Sequence, residues 1–328
     1  MKRTRLKGGS LSETCLIEND DGTSFVRKSV SLVENRVYGY QRWYSQLKRI
    51  QRYSVMFPGI FPKLIRFGMI DEDAYFDIEY YEQGVNAHDY LENCDNSKEV
   101  DTFFDILLNT ISQLHKTKIP SSQDAIELYL YEEVEQKIKD CHKNKSFVDF
   151  IKNSKIIFNG KKVNSFMTII EDFKYLSKKY YVNPEETFTH GNITLENLLY
   201  IPNEKKFIFI DPYEENIIDS CLAEYSQLLQ SSNAKYEIYN RQEQYILSGN
   251  RIELHVDKNK SIDYFNDKLL SYLKSYFNKE DYIMIRLLEI SQFIRMLPFK
   301  MEVDEKKMIF FYGLASKLFD DLLNELKI

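Results

Sequence analysis

The chain has 328 residues, with 44 basic against 50 acidic side chains and a formal net charge of −6; the two signs are interspersed, so composition makes no case for nucleic-acid binding. Four cysteines, Cys15, Cys94, Cys141 and Cys221, stand apart with no C-x-x-C pair, which argues against a zinc or disulfide framework and for a reducing compartment. The start at Met1 leads into no apolar run and no stretch is long and apolar enough to span a bilayer, so the expectation is no signal peptide, no membrane span and a cytoplasmic address.

Residues 6–12 contain Gly8-Gly9-Ser10, a short glycine loop. Residues 15–17 and 24–28 read as strands on either side of Asn19-Asp20-Asp21-Gly22, a strong turn signal. The backbone N–H groups of Gly8, Gly9 and Ser10 suit a phosphate, and Lys28 at the strand end suits pairing with it. Taken singly, a Gly-Gly loop is a common turn and a strand-end lysine is commonly solvated; the order loop, hairpin, lysine is what resembles a kinase. Arg27 faces the other side by strand alternation. Residues 32–52 read as a helix carrying the single tryptophan, Trp43. Two residues in it are candidates to meet Lys28: Glu34, early in the helix, and Gln41, which can hydrogen-bond an ammonium without neutralising it. Residues 61–67 and 75–81 read as two further strands. The second runs into Glu82-Gln83-Gly84, a hinge, with the backbone of Glu79 to Tyr81 as the expected adenine contact.

Beyond Gly84 the pattern is mainly helical. Phe103, Leu107, Ile111 and Leu114 recur at helical spacing, and His115 ends that face as a structural histidine. Residues 128–143 and 165–181 read as helices, as do 220–231, with Leu222, Tyr225, Leu228 and Leu229 inward. Phe311, Leu314, Leu318 and Leu322 mark an amphipathic terminal helix.

His190-Gly191-Asn192-Ile193-Thr194-Leu195-Glu196-Asn197, followed by Ile210-Asp211-Pro212, carries the chemistry. The spacing is that of a kinase catalytic loop, H-x-D-x-x-x-x-N, with an aspartate at the end of the following hairpin. Phosphoryl transfer needs in-line positioning, charge neutralisation and an oriented nucleophile. Residues 198–201 and 207–210 read as apolar strands joined by the turn Pro202-Asn203-Glu204-Lys205, so a hairpin brings Asn197 and Asp211 together as oxygen ligands suited to Mg²⁺. Either residue alone closes a turn as readily as it binds a metal. His190 reads as a loop organiser bonded to backbone rather than as an acid or base.

The glycine after the histidine and the proline after the metal aspartate resemble the aminoglycoside phosphotransferase and choline kinase-like superfamily, the small-molecule branch of the protein-kinase-like fold. Residues 129–132, 210–217, 228–231 with 236–237, and 292–298 are similar to members from bacterial surface-polysaccharide gene clusters. The resemblance implies an α+β, two-lobed fold, with a small mixed β-rich N-lobe over residues 1–83 and a larger, mainly helical C-lobe over 84–328. It implies Mg²⁺ with ATP or GTP, and phosphate transfer to a hydroxyl of a small molecule such as a sugar or nucleotide-sugar precursor. Acceptor contacts are expected around Tyr213, Glu214 and Glu215. The aspartate that braces the catalytic loop in the family falls near Glu224, with Asp219 just before.

One residue departs from the pattern. Asn192 stands where the family has its catalytic aspartate. A neutral amide accepts a hydrogen bond through its oxygen but takes no proton. Three readings stand side by side: a natural pseudokinase that binds nucleotide as scaffold or sensor, a substitution introduced to trap a complex, and an active enzyme in which a group such as Glu196 supplies the carboxylate. A protein kinase is disfavoured, since Asp211-Pro212 leads quickly into a helix with no D-F-G to A-P-E segment.

Overall fold

The computed structural model describes residues 1–6, 12–33 and 37–327. Gly8, Gly9, Ser10 and Glu34 lie outside the described residues. The chain divides into two compact units, one of Met1–Leu91, Thr102–Leu114 and His190–Asn216, the other of Glu92–Asp101, His115–Thr189 and Ile217–Ile328.

The first unit is built on an antiparallel sheet of five strands: β1 (Lys2–Arg5), β2 (Glu13–Glu18), β3 (Ser24–Ser31), β4 (Leu64–Ile70) and β5 (Asp73–Glu79), in the order β1-β2-β3-β5-β4. At the β2–β3 turn the Gly22 N–H donates to the Asn19 carbonyl at 3.0 Å, with Gly22 at φ 83°, a conformation open to glycine at no steric cost. Strand alternation then sorts β3 into two faces. On one, Val30 joins Ala74, Phe76 and Ile78 of β5 and Trp43, Leu47 and Ile50 of helix α1 (Val37–Met56) in a buried core. The spacing of 43, 47 and 50 is one helical stripe, and each such fully buried side chain contributes about 1.5–3 kcal/mol. On the other face Arg27 donates to both Asp77 oxygens, at 2.7 and 2.8 Å, and Arg66 adds a third bond at 2.7 Å. Asp77 is fully buried, and its hydrogen bond raises the Arg27 pKa.

The first unit also holds β6 (Val85–Asn86), β7 (Leu198–Ile201) and β8 (Lys206–Phe209), an antiparallel sheet ordered β8-β7-β6. Leu198 pairs with Phe209 and Ile201 with Lys206, so the hairpin expected between Asn197 and Asp211 is present. Phe207 packs edge-on against Phe103 of α2 (Ser97–Leu114) at 4.8 Å.

The second unit is mainly helical: α3 (Ile170–Tyr180), α4 (Cys221–Ser232), α5 (Lys260–Tyr276), α6 (Lys279–Arg295) and α7 (Glu305–Leu326) are its long elements. From Tyr282 to Ile294 every residue of α6 is buried, as a helix surrounded by others requires. Its charges are paired: Arg286 donates to Glu289 at 2.8 Å, and Asn233 donates to Glu289 at 2.7 Å.

Two local readings change. Residues 128–143 are not one helix; an α-helical turn at Ala125–Tyr129 gives way to a π-helical stretch, Leu130–Glu135, and then to Gln136–Asp140. The wide turn is held from both ends, since Tyr129 Oη meets Ser291 Oγ at 2.7 Å and Arg295 donates to Glu133 at 2.8 Å. Lys155–Phe158 and Lys161–Asn164 form a hairpin that the sequence reading passed over. Its turn, Asn159-Gly160, has φ of 46° and 80°, a type I′ signature.

Candidate active site

The loop after Thr189 is organised by one imidazole. His190 is fully buried, stacked on Phe61 and edge-on to Phe209. Its Nδ1 accepts from the Asn192 N–H at 3.2 Å and its Nε2 lies 2.7 Å from the Ile210 carbonyl. With Nδ1 accepting, the proton sits on Nε2 and is donated to Ile210. His190 thus ties the loop to the residue just before Asp211 and makes no acid–base group available.

Gly191 follows at φ 78°. A Cβ there would overlap the Tyr213 carbonyl and come within 2.7 Å of Arg49 Nη1 and Asn216 Nδ2. The glycine answers to close packing as well as to backbone conformation.

Asn197 closes the loop. Its Nδ2 donates to the Asn192 carbonyl at 2.8 Å and to Thr194 Oγ1 at 3.1 Å. Both bonds use the amino group, and Oδ1 meets no partner among the described residues. The Asn197 carbonyl accepts from the Ile210 N–H at 2.9 Å, which seats the next residue, Asp211, beside it. Asp211 has φ 58°, a left-handed conformation that aspartate tolerates better than most. One of its oxygens pairs with Lys28 Nζ; the other engages no group among the described residues. The Asn192 side chain likewise meets no partner among them and is half-buried.

Lys28 is buried on the α1 side of β3, with Gln46 Oε1 3.3 Å from its Nζ. The Trp43 indole donates to the Lys28 carbonyl at 3.2 Å. Among the described residues the helix partner of Lys28 is therefore Gln46, not Gln41, which is exposed. The two glutamines are five residues apart, which at 3.6 residues per turn puts them on different faces of α1.

At the hinge, the Glu79 N–H donates to the Lys63 carbonyl at 3.0 Å and the Gly84 N–H to the Tyr81 carbonyl at 3.0 Å. The Tyr81 N–H meets no acceptor among the described residues. Tyr81 Oη donates to Glu79 Oε2 at 2.7 Å; burial and this carboxylate push its phenol pKa up.

Where acceptor contacts are expected, around Tyr213, Glu214 and Glu215, the two carboxylates engage basic residues of α1. Glu214 Oε2 accepts from Arg49 Nε at 2.6 Å and Arg52 Nη2 at 3.0 Å, and Glu215 meets Lys48 at 3.5 Å. Sequence reasoning missed Arg49; the signal was an arginine on the apolar side of α1 followed by Arg52 at helical spacing. In the second unit, Thr189 Oγ1 donates to Asp219, and the Thr187 N–H donates to the Asp219 carbonyl at 3.1 Å. Glu224 instead meets His115 Nε2 at 2.8 Å.

The chain has the protein-kinase-like fold. Similar solved structures include a candidate fructosamine-3-kinase from Haemophilus somnus 129PT (TM-score 0.55, 11% identity, 97% of this chain and 91% of that chain covered). Another is a GDP complex of a point mutant of an aminoglycoside 2′-phosphotransferase IIIa (TM-score 0.56, 11% identity, 99% and 93% covered). By sequence, no family model and no curated protein matches the chain. Among the described residues no helix is long and apolar enough to cross a membrane.

Proposed function

We propose that this chain is a nucleotide-dependent phosphotransferase that phosphorylates a hydroxyl of a small molecule. The observation that carries this reading is the convergence of Lys28, Asn197 and Asp211 within one compact unit, with Lys28 paired to Asp211 and Asn197 bonded to the backbone beside it. Asn197 Oδ1 and the unengaged Asp211 oxygen are hard oxygen donors, the set that Mg²⁺ takes. When bound, the ion would neutralise charge between the phosphates. Lys28 and the Gly8-Gly9-Ser10 loop would bind the phosphates of ATP or GTP, and the Tyr81 N–H would meet the base.

Asn192 would accept a hydrogen bond from the acceptor hydroxyl and orient it. It removes no proton, and loss of a general base costs roughly 10²–10⁴ in rate. Phosphoryl transfer tolerates this better than most reactions, because positioning and charge carry most of the acceleration. The acceptor we favour is a sugar or nucleotide-sugar precursor for a surface polysaccharide, on the likeness of residues 210–217 and 228–231 with 236–237 to members from such gene clusters. We place the activity in the cytoplasm, on the four free cysteines.

A second reading, a nucleotide-binding protein without turnover, draws on two neutral amides: Asn192 in the loop and Gln46 beside Lys28. Mg²⁺-dependent nucleotide turnover of the chain beside Asn192→Asp, with a panel of sugars, nucleotide sugars and amino alcohols, separates them. Binding with no turnover by either form favours the second reading; no nucleotide binding by either rejects both.

A further inference from the structure

We infer that the ion pair between Arg49 of α1 and Glu214 is a latch that positions the metal-binding segment against the catalytic loop, a role that rests on the proposed phosphotransferase reading. The helix 37–56 contains no acidic residue, so it has no carboxylate to offer Lys28. Its hold on the site runs through charges of the opposite sense, a helix cation and a loop carboxylate.

The contacts concentrate on the segment just after Asp211. Arg49 Nε donates to Glu214 Oε2 at 2.6 Å, and Nη2 reaches the Glu214 carbonyl at 3.4 Å. The Glu214 N–H donates to Ser45 Oγ at 2.8 Å, and Arg42 lies over the Tyr213 ring at 5.4 Å. Residues 42, 45, 49 and 52 form one helical face, and Gln46, beside it, reaches Lys28. The same helix therefore touches the phosphate-side lysine and the metal-side segment.

Arg49 also sets the loop. Its side chain is 1% exposed, and Nη1 lies where a Cβ on Gly191 would come within 2.7 Å of it. Around it, the Tyr213 N–H donates to the His190 carbonyl at 3.0 Å and Asn216 Nδ2 donates to the Gly191 carbonyl at 3.0 Å. A planar fork fills this slot and engages both side chain and backbone of Glu214; a lysine ammonium is a point charge without that geometry.

The test is nucleotide affinity of the full chain with and without Mg²⁺, titrating ATP and GTP separately and following Trp43 emission. Wild type is compared with Glu214→Gln, Arg49→Lys and the more exposed Arg52→Gln. We expect Glu214→Gln and Arg49→Lys to lose about tenfold to hundredfold of the Mg²⁺-dependent gain in affinity, the scale on which groups that orient a metal site act, with Mg²⁺-free affinity held within about twofold. Arg52→Gln, whose side chain is 46% exposed, should keep the wild-type gain and shows that a fold-neutral charge change at the same carboxylate is not enough. The latch is overturned if Glu214→Gln and Arg49→Lys keep the wild-type gain, if they lose Mg²⁺-free affinity equally, or if Arg52→Gln matches them. A wild-type chain that binds neither nucleotide overturns the phosphotransferase reading itself, and the latch with it.

Discussion

Lys28 and Asp211, 183 residues apart in sequence, form an ion pair in which the lysine side chain is 5% exposed and the aspartate 22%. The pair is asymmetric: the carboxylate reaches water and the ammonium does not. With Gln46 neutral, Asp211 is the only carboxylate paired with Lys28 among the described residues.

That asymmetry predicts unequal costs. Asp211→Asn strands a buried ammonium and should destabilise the chain by about 3 kcal/mol, the scale for an uncompensated buried charge. Lys28→Met leaves a carboxylate that can hydrate, so the cost should be roughly 1 kcal/mol, nearer the surface-pair scale. Urea unfolding of both variants decides it. A larger loss for Lys28→Met than for Asp211→Asn would reject the assignment of which charge depends on the other.

Asn192→Asp should raise turnover by roughly 10²–10⁴, the usual contribution of a general base. The Asn192 side chain makes no hydrogen bond among the described residues, so an isosteric carboxylate should fit without moving the loop. The change is read as steady-state turnover with Mg²⁺ and nucleotide. An unchanged rate would mean that no base is required at this position.

Gly191→Ala and Gly160→Ala form a matched pair. Both glycines have φ near 80°, so each pays the same backbone strain, on the order of 1 kcal/mol. A Cβ at Gly160 meets nothing within 4 Å, whereas one at Gly191 overlaps the Tyr213 carbonyl. Gly191→Ala should therefore be the more destabilising by at least about 1 kcal/mol, the low end for overpacking a filled site. Equal denaturation midpoints for the two variants would show that the space beside Gly191 opens freely.

Cys141 is buried, and burial pushes its thiol pKa up to about 12 from an ordinary value of 9.0. The folded chain then holds a proton that the unfolded chain releases above pH 9. This stability is present in full below that pH and is lost as pH rises toward 12, with a slope of at most about 1.4 kcal/mol per pH unit. The stability difference between wild type and Cys141→Ala should accordingly shrink between pH 8 and pH 10.5. Native Cys141 should also resist iodoacetamide at pH 8 and react on unfolding. Rapid native labelling would contradict its burial.

Much of the frame was legible in the chain itself. The turn at 19–22, the hairpin between Asn197 and Asp211, and helices α4 and α7 follow from local turn chemistry and periodicity, which act over a few residues. His190 was legible as a loop organiser, because a histidine followed by glycine in that motif has backbone groups on both sides to bond. The helix partner of Lys28 was not legible. Gln41 and Gln46 have the same chemistry, and only the start and rotation of α1 against the sheet select between them. The π-helical turn at Leu130–Glu135 was also hidden, since Tyr129–Ser291 and Glu133–Arg295 are contacts with a helix more than a hundred and fifty residues away.

The amino-acid sequence by itself determined the order of the elements, the kinase-like spacing from His190 to Asp211 and the presence of an amide at 192, because these are matters of residue type and interval. Only the tertiary structure decided that Lys28 pairs with Asp211, that Gln46 stands beside it, and that Arg49 packs against Gly191 while holding Glu214. Those pairings join segments far apart in the chain, and their partners are chosen by how α1 packs on the sheet, a property that no local interval encodes.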